Sequence, residues 1–596
     1  MKFLKKAAVI LLALLLALLG ISMAFLYSPL FRFPVDAELP PPRIGRLIWP
    51  TIGYPALVPP GGELEVEVNL RPGGEPPGEE VGGWEAVIQP ARPELAASCF
   101  RLQEVEARRG FSQRWPELAE EGGEEVWHVR FRIPAEAFPE LYDLRVALAW
   151  GGERLEDGQP HSLAVTGEED GDLTFVVLTD VHVHLRGNSA PFSRQSDKGV
   201  GPEGEPIFFQ EALEQVNLLR PDFVLMLGDY VRGQRRPGDL LAECELFYRA
   251  LLELEVPAFL VPGNHDQYVN GIDGARWYRE NIGPTYYSFD LEGCHFTCLN
   301  TYQWPFDDRV VMNKLVFMEP RKWQGQVLGA DDPGDPATYR GQLAWAEGDL
   351  AAHQGARLRL VALHHDPYTA DGRGFSYVNP NHFGIFRFGG GGEGREALLS
   401  LAARHHVDMV LGGHLHVDRV GRVPWEDGKG ETVYSCQSCL YFQGGGWEDS
   451  YPGYRLVEVE DGEITGFSYL DGVSSYPFYD GCHPGGATYL DGLETPAIGA
   501  EVLEPPGEEG RVSLRVKNYL GKEMEIRGLV VTLPASPSGD YRVEGAEVYR
   551  RIEPAGLPGR VVLYLRTTLE KGMPGGSGTS PGVPGIRLVT VSARGI

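Results

Sequence analysis

The chain has 596 residues, too many for one hydrophobic core and enough for three or four domains of about 150 residues each. Its 43% hydrophobic and 23% charged residues exclude an uncollapsed polar chain. A formal net charge of −29 excludes a nucleic-acid scaffold as the main role, because that surface needs clustered Lys and Arg. An anionic substrate then needs local cations, which bound metal ions can supply inside an acidic field.

Residues 1–30 place Lys2, Lys5 and Lys6 ahead of an uncharged apolar stretch from Ala7 to Leu26. Two readings stay open: a cleaved signal peptide, with Ser22 and Ala24 as a small-x-small site, or an uncleaved membrane anchor, since about 20 apolar residues can span. Both predict a secreted or membrane-anchored, extracytoplasmic protein. No Cys follows the apolar run, which argues against a lipoprotein. The seven cysteines form an odd set, so at least one stays a thiol. Cys436 and Cys439 form a CxxC with no second CxxC and no thioredoxin-like context; core cysteines or a local disulfide are the expectation.

Residues 31–45, with Pro40, Pro41 and Pro42, read as an extended, exposed linker. From 46 to 167 the apolar residues alternate: Leu64, Val66, Val68 and Leu70; Val129, Phe131 and Ile133; Leu144, Val146, Leu148 and Trp150. Alternation between Gly/Pro turns predicts an immunoglobulin-like β-sandwich. The acidic group Glu120, Glu121, Glu124 and Glu125 within it reads as a solvated loop or helix end.

From 172 to 470 apolar runs alternate with amphipathic segments. Helices are predicted from about Pro206 to Leu219, from about Asp239 to Leu254, from near Gln342 and from near Glu396. Buried strands alternating with helices predict an α/β domain, whose ligand site lies beyond the strands' C-terminal ends. Two insertions, Thr301 to Tyr339 and Tyr368 to Gly394, read as irregular segments shaping access. A hairpin turned at Asp461-Gly462 closes the domain. Residues 485–596 are β-rich again, with Val512, Leu514 and Val516 alternating, and predict a second sandwich.

Chemistry gathers at the ends of five apolar runs. Of the 15 histidines, seven lie there: His182, His184, His265, His364, His365, His414 and His416. Imidazole and carboxylate together suit Zn, Fe or Mn, and a bridging carboxylate lets two ions sit about 3.5–4 Å apart. His405 and His406 sit at a predicted helix C-terminus and read as structural. Because a strand sends consecutive side chains to opposite faces, only one of His364 and His365 can point at the metals.

The blocks Asp180-Val181-His182, Gly228-Asp229, Gly263-Asn264-His265-Asp266, His365-Asp366-Pro367 and Gly413-His414-Leu415-His416, in this order, resemble those of the calcineurin-like metallophosphoesterases. The resemblance covers about 172–470. It implies two divalent or trivalent transition metal ions, one held by Asp180, His182, Asp229 and His416, the other by Asp229, Asn264, His365 and His414, with a water activated between them. His365 is favoured over His364 by its position two before Pro367. His265 would protonate the leaving group or bind a phosphoryl oxygen, and Asp266 could orient its ring. His184 could face the substrate side or be a surface residue. The expected activity is hydrolysis of phosphate monoesters or diesters; the alternatives are a nucleotide or cyclic-nucleotide phosphodiesterase of the same fold, or an inert scaffold whose sandwiches contact a surface polymer. Purple acid phosphatases of this fold carry a Tyr ligand three residues after the bridging Asp; Arg232 stands there, and Tyr230 should point elsewhere, which argues against an iron–tyrosinate centre.

Overall fold

The computed structural model describes residues 14–17, 20, 39–70, 81–120, 123, 125–151, 153–167, 171–185, 201, 204–233, 239–314, 324–368, 394–416, 419–425, 427–437, 439–440, 453–466, 498–505, 510–520, 522–572 and 583–593. The leader and the second insertion lie almost entirely outside these. Among the described residues no helix is long and apolar enough to cross a membrane.

Eight strands come first: β1 Leu47–Trp49, β2 Ala56–Val58, β3 Glu63–Val68, β4 Val81–Pro90, β5 Phe100–Phe111, β6 Glu125–Arg132, β7 Glu140–Trp150 and β8 Glu153–Val165. Their order is β1-β3-β6-β5-β4-β7-β8-β2, with β5 pairing both β6 and β4. The alternating residues Leu64, Val66, Val129, Phe131 and Leu144 all point into one core. The Tyr142 hydroxyl donates to the Phe138 carbonyl at 2.7 Å, a tyrosine corner of the kind found in immunoglobulin-like sandwiches. Pro40, Pro41 and Pro42 are exposed as expected. The linker's end is not: Arg43 pairs with Glu245 at 2.5 Å and lies over the Tyr248 ring, and Ile44 is buried.

The centre holds two sheets face to face. The first contains β9 Leu173–Leu178, β10 Phe223–Met226, β11 Ala258–Leu260, β18 Arg455–Glu460 and β19 Glu463–Gly466; the second contains β12 Tyr287–Leu291, β13 Cys294–Leu299, β14 Leu358–His365, β15 Met409–Gly413, β16 Arg419–Pro424 and β17 Glu431–Cys436. Their orders are β11-β10-β9-β18-β19 and β12-β13-β14-β15-β17-β16. The runs β9–β10–β11 and β13–β14–β15–β17 are parallel.

Both faces of the parallel strands are apolar because both are covered. Phe175, Val177, Phe223, Leu225 and Phe259 face the other sheet, where Phe289, Phe296, Leu360 and Leu411 meet them. Phe259 and Phe289 stack with centroids 3.6 Å apart. Each such fully buried side chain stabilises by about 1.5–3 kcal/mol, and together they fix the two sets of strand ends side by side.

The opposite face of the first sheet carries Val176, Val224 and Met226 against the helices Ile207–Leu219 and Asp239–Leu251. The second sheet turns Val361, Leu363 and Val410 to the helices Gly341–Ala352 and Arg395–Arg404. The helix expected to reach Leu254 stops at Leu251, where Glu253 and Leu254 tighten into three-residue turns. The first insertion is less irregular than expected: Phe306–Lys314 is a helix. The hairpin β18–β19 turns at Asp461 (φ 50°) and Gly462 (φ 79°), as expected.

The last strands, β20 Ile498–Glu504, β21 Arg511–Asn518, β22 Met524–Pro534, β23 Tyr541–Glu544, β24 Glu547–Ile552, β25 Arg560–Leu569 and β26 Gly585–Ala593, form the sheets β20-β21-β26-β23 and β22-β25-β24. This β-rich flank packs on the helix Ile207–Leu219 so closely that a Cβ on Gly528 would lie 1.7 Å from the Asn217 carbonyl oxygen. Cys436 and Cys439 are buried free thiols, not a disulfide. Glu120 ends a short helix, Pro116–Glu120, and Glu125 opens β6.

Candidate metal centre

The motif residues leave the ladders at the C-terminal ends of β9, β10, β11, β14 and β15. Asp180 (φ 52°), His182 (48°), Asp229 (56°), His414 (68°) and His416 (56°) all adopt left-handed backbone. Each such L-residue costs about 1–2 kcal/mol and persists only where its surroundings over-determine it. Gly228 and Gly263 let two of these loops touch backbone to backbone: a Cβ on Gly228 would lie 2.4 Å from Gly263 N, and one on Gly263 2.2 Å from Asp229 Oδ1. The glycines of the blocks are therefore steric requirements.

Two groups of side chains converge. Asp180 Oδ2 accepts from Thr179 Oγ1 and from the His414 backbone N–H, both at 2.8 Å, which turns Oδ1 to His416 Nε2 at 3.0 Å and His182 Nε2 at 3.5 Å. His182 Nε2 and His416 Nε2 stand 2.9 Å apart. In the other group His364 Nε2 lies 3.0 Å from Asn264 Oδ1 and 3.2 Å from Asp229 Oδ1, and the ring of His414 stands over those of His364 and His365. Asp229 belongs to both groups, because its Oδ2 faces His182 Nε2 at 3.7 Å.

A family model described as calcineurin-like phosphoesterase matches residues 173–418. The central domain belongs to the calcineurin-like phosphoesterases. The protein is thus a metal-dependent phosphoester hydrolase. No curated protein matches the chain. Among solved structures, a purple acid phosphatase from yellow lupin (Lupinus luteus) seeds is 12% identical over 69% of this chain and 71% of its own, with a TM-score of 0.37. The protein TT1561 of Thermus thermophilus is 12% identical over 49% of this chain and 96% of its own, with a TM-score of 0.25. Likenesses this weak add nothing to an assignment that rests on the blocks and the family match.

The side chains of this phosphoesterase fit cations. Two ligand atoms each about 2.1 Å from one ion lie about 3–3.5 Å apart, close to the spacing of Asp180, His182 and His416. His414 Nδ1 is buried with no hydrogen-bond partner among the described residues. Burial would push the Asp229 carboxyl up, but the imidazoles of His364, His265 and His182 outweigh it and hold it below its ordinary value. Burial would likewise lower His364, yet Asp229 raises it to about 9. Burial, then the neighbouring His364, push His414 down to about 3.

At two of the expected roles the contacts differ from the expectation. His364, not His365, faces Asp229 and Asn264. Its Nδ1 donates to the Leu227 carbonyl at 2.7 Å, which aims Nε2 at the site, whereas His365 Nδ1 meets Thr301 Oγ1 at 2.9 Å. The pairing of β14 with β15 shifts between Ala362 and His365, so both imidazoles are buried beside His414, with His364 turned to that pair. Asp266 does not orient the His265 ring. Its carboxylate accepts the backbone N–H groups of Asp229 (2.8 Å), Tyr230 (2.7 Å) and Gly263 (2.7 Å), and thereby clamps two motif loops together. His265 Nδ1 donates instead to the Arg232 carbonyl at 2.7 Å.

His184 is buried with Nδ1 on the His182 carbonyl at 3.0 Å. Tyr230 points into the core and donates to the Met226 and Val261 carbonyls at 2.9 and 2.6 Å, away from the centre as expected. His405 contacts Glu347 at 3.0 Å and His406 contacts Asp427 at 3.4 Å, remote from the motif loops.

The motifs alone did not indicate Tyr268, whose hydroxyl accepts from Asn264 Nδ2 at 2.6 Å and so turns Oδ1 to the site. Its only local signal is its place four residues after Asn264. Cys439 was likewise missed: its thiol hydrogen-bonds His416, and the adjoining Leu440 N–H reaches the Asp180 carbonyl at 3.2 Å.

Proposed function

We propose that this phosphoesterase holds two transition-metal ions, Mn, Fe or Zn, and hydrolyses phosphate monoesters or diesters outside the cytoplasm. Asp180, His182, Asp229 and His416 would hold one ion, and Asp229, Asn264, His364 and His414 the other. The observation that carries this reading is the Asp229 carboxylate, with Oδ1 at 3.2 Å from His364 and Oδ2 at 3.7 Å from His182. Imidazole nitrogens with carboxylate and amide oxygens suit metals of this class. When bound, such ions polarise a phosphoryl group and lower the pKa of water.

The chain's own residues supply position and a proton. His265 has its Nδ1 proton committed to the Arg232 carbonyl, which leaves Nε2, 3.9 Å from Asp229 Oδ2, as the nitrogen facing the centre. There it would bind a phosphoryl oxygen or protonate the departing oxygen. Tyr268 fixes the Asn264 amide and Thr179 fixes the Asp180 carboxylate; outer partners of this kind set ligand orientation. The apolar slab between the sheets holds both groups rigidly, and such positioning is much of catalysis.

The lysine-flanked apolar segment ahead of Leu26 supports the extracytoplasmic reading. Cell fractionation with mass spectrometry of the mature N-terminus tests it: recovery in the cytoplasm would contradict it. For activity, the full chain is assayed with 4-nitrophenyl phosphate and its bis-ester before and after chelation. Loss of turnover on chelation and its return with Mn, Fe or Zn is expected; unchanged turnover in metal-stripped protein would contradict it.

A further inference from the structure

At the N-terminal end of β13, opposite the strand ends that carry the metal centre, side chains of three elements meet. They are Asp290 of β12, His295 of β13, and Asp349 and His353 of the helix Gly341–Ala352 and its cap. Asp290 and His295 are direct partners across the β12–β13 ladder. The proposed phosphoesterase chemistry uses none of the four.

Each imidazole has one nitrogen already committed. His295 Nε2 lies 2.9 Å from Asp349 Oδ2, and the same carboxylate accepts the hydroxyls of Thr297 and Ser288, each at 2.8 Å. His353 Nδ1 donates to the Asp349 carbonyl at 2.7 Å. The nitrogens that remain both face Asp290: His295 Nδ1 is 2.9 Å from Oδ1 and His353 Nε2 is 3.9 Å from Oδ2. The two rings stack with centroids 3.7 Å apart. An imidazole whose second nitrogen meets a carboxylate or a backbone carbonyl is held in the tautomer and orientation that ligate metals. Donor atoms about 2.1 Å from one ion lie about 3–3.5 Å apart. The ring of His353, 35% exposed, has room to turn and close the wider gap.

The charges also leave a place for a cation. Among the described residues neither Asp290 nor Asp349 forms an ion pair with a lysine or an arginine; their charged partners are the two histidines. Arg114 acts on Asp290 from a distance, but it lies over the Trp49 ring and is shared with Glu65 and Glu67. Arg359, the neighbour of His295 in β14, is matched by Asp408. Burial disfavours a proton on His295, yet Asp349 and Asp290 hold one there when no metal ion is present, and a metal ion would displace it. His353 caps the C-terminal end of its helix, where the last carbonyls favour a cation. Asp290 is 62% exposed, so ions reach the group from solution.

We infer that His295 Nδ1, His353 Nε2 and the Asp290 carboxylate form a metal site apart from the catalytic centre, for a divalent ion such as zinc, with Asp349 orienting His295. Imidazole and carboxylate together suit zinc, and three protein ligands leave a position for water. The ion would staple the β12–β13 hairpin to the helix Gly341–Ala352. Because one ligand is largely exposed, the ion exchanges readily: desalted protein keeps only the ions of the catalytic centre, and the additional one enters in excess zinc.

Equilibrium dialysis of the full-length holoenzyme against zinc chloride, with zinc counted by inductively coupled plasma mass spectrometry, tests this. The wild type should take up one more zinc ion per chain than His353→Gln or Asp290→Asn, in each of which the site should bind zinc at least tenfold more weakly. Turnover of 4-nitrophenyl phosphate before dialysis should stay within twofold of wild type in both variants. The readout is a difference between wild type and variant, so it does not depend on how many ions the catalytic centre holds. A second readout needs no variant: in the wild type, excess zinc should block carbethoxylation of His353 by diethyl pyrocarbonate, followed by peptide mass spectrometry. Zinc uptake by either variant equal to that of the wild type, or His353 modified equally with and without zinc, would overturn the inference.

Discussion

The carboxylate of Asp229 and the imidazole of His364 meet at 3.2 Å across the seam between the two central sheets. Asp229 follows β10 of one sheet and His364 lies in β14 of the other, so the contact exists only once the sheets have packed. His364→Ala should lower kcat at least 100-fold and remove about one metal ion per chain, because it deletes a proposed ligand. His365→Ala, whose ring is held by Thr301, should cost no more than about 10–100-fold, as for a residue beside the ligands. Kinetics and metal content of both variants decide the order, and the reverse ranking would return the ligand role to His365.

Asp266 should matter to stability before chemistry. Removing its carboxylate strands three buried N–H groups, at roughly 1–3 kcal/mol for each unsatisfied group and with partial relaxation. Asp266→Ala should therefore lose about 3 kcal/mol or more in urea unfolding and bind metal more weakly. A variant as stable as the wild type would show that the clamp is dispensable.

His265 predicts the opposite split. It is buried on the motif loop, with Nδ1 on the Arg232 carbonyl and its ring beside Tyr268 and His182. His265→Ala should lower kcat by about 10²–10⁴ while the melting temperature moves by only a few degrees. Full retained activity would remove His265 from the reaction.

A pH effect is expected away from the centre. His295 is buried with Nδ1 2.9 Å from Asp290 and Nε2 2.9 Å from Asp349. Burial would lower its pKa, but the two carboxylates raise it to about 9. A folded pKa above the unfolded value of about 6.5 stabilises the fold fully below about pH 6.5, and the gain disappears as pH rises towards 9. Asp290 is 62% exposed, so solvent screening reduces the effect to about 1–2 kcal/mol. The stability difference between wild type and His295→Asn should shrink by that amount from pH 6 to pH 9.5; an unchanged difference would contradict it.

The strands and motif ends were legible because they depend on local periodicity. Leu64, Val66, Val129 and Phe131 alternate, and all face one core. Glu67, next to Val66, is equally buried, which alternation could not show. It accepts the Gln113 N–H at 2.8 Å and the Arg114 N–H at 3.1 Å from a loop 46 and 47 residues away. The orientation of His364 and His365 was hidden for a related reason: alternation says that one imidazole faces the centre, but the shifted pairing of β14 with β15 turns His364 to Asp229. The helix Phe306–Lys314 escaped notice because FDDRVVMNK carries no clear apolar stripe. Arg43 looked like linker until its partner Glu245, 202 residues on, was in place.

The most direct measurement is the metal content of purified full-length protein, by inductively coupled plasma mass spectrometry, beside that of Asp229→Asn. About two Mn, Fe or Zn ions per chain are expected in the wild type, with both lost or greatly weakened in the variant, since one carboxylate serves both groups. A single ion per chain at saturating metal, or two ions retained by Asp229→Asn, would contradict a dinuclear centre joined through Asp229.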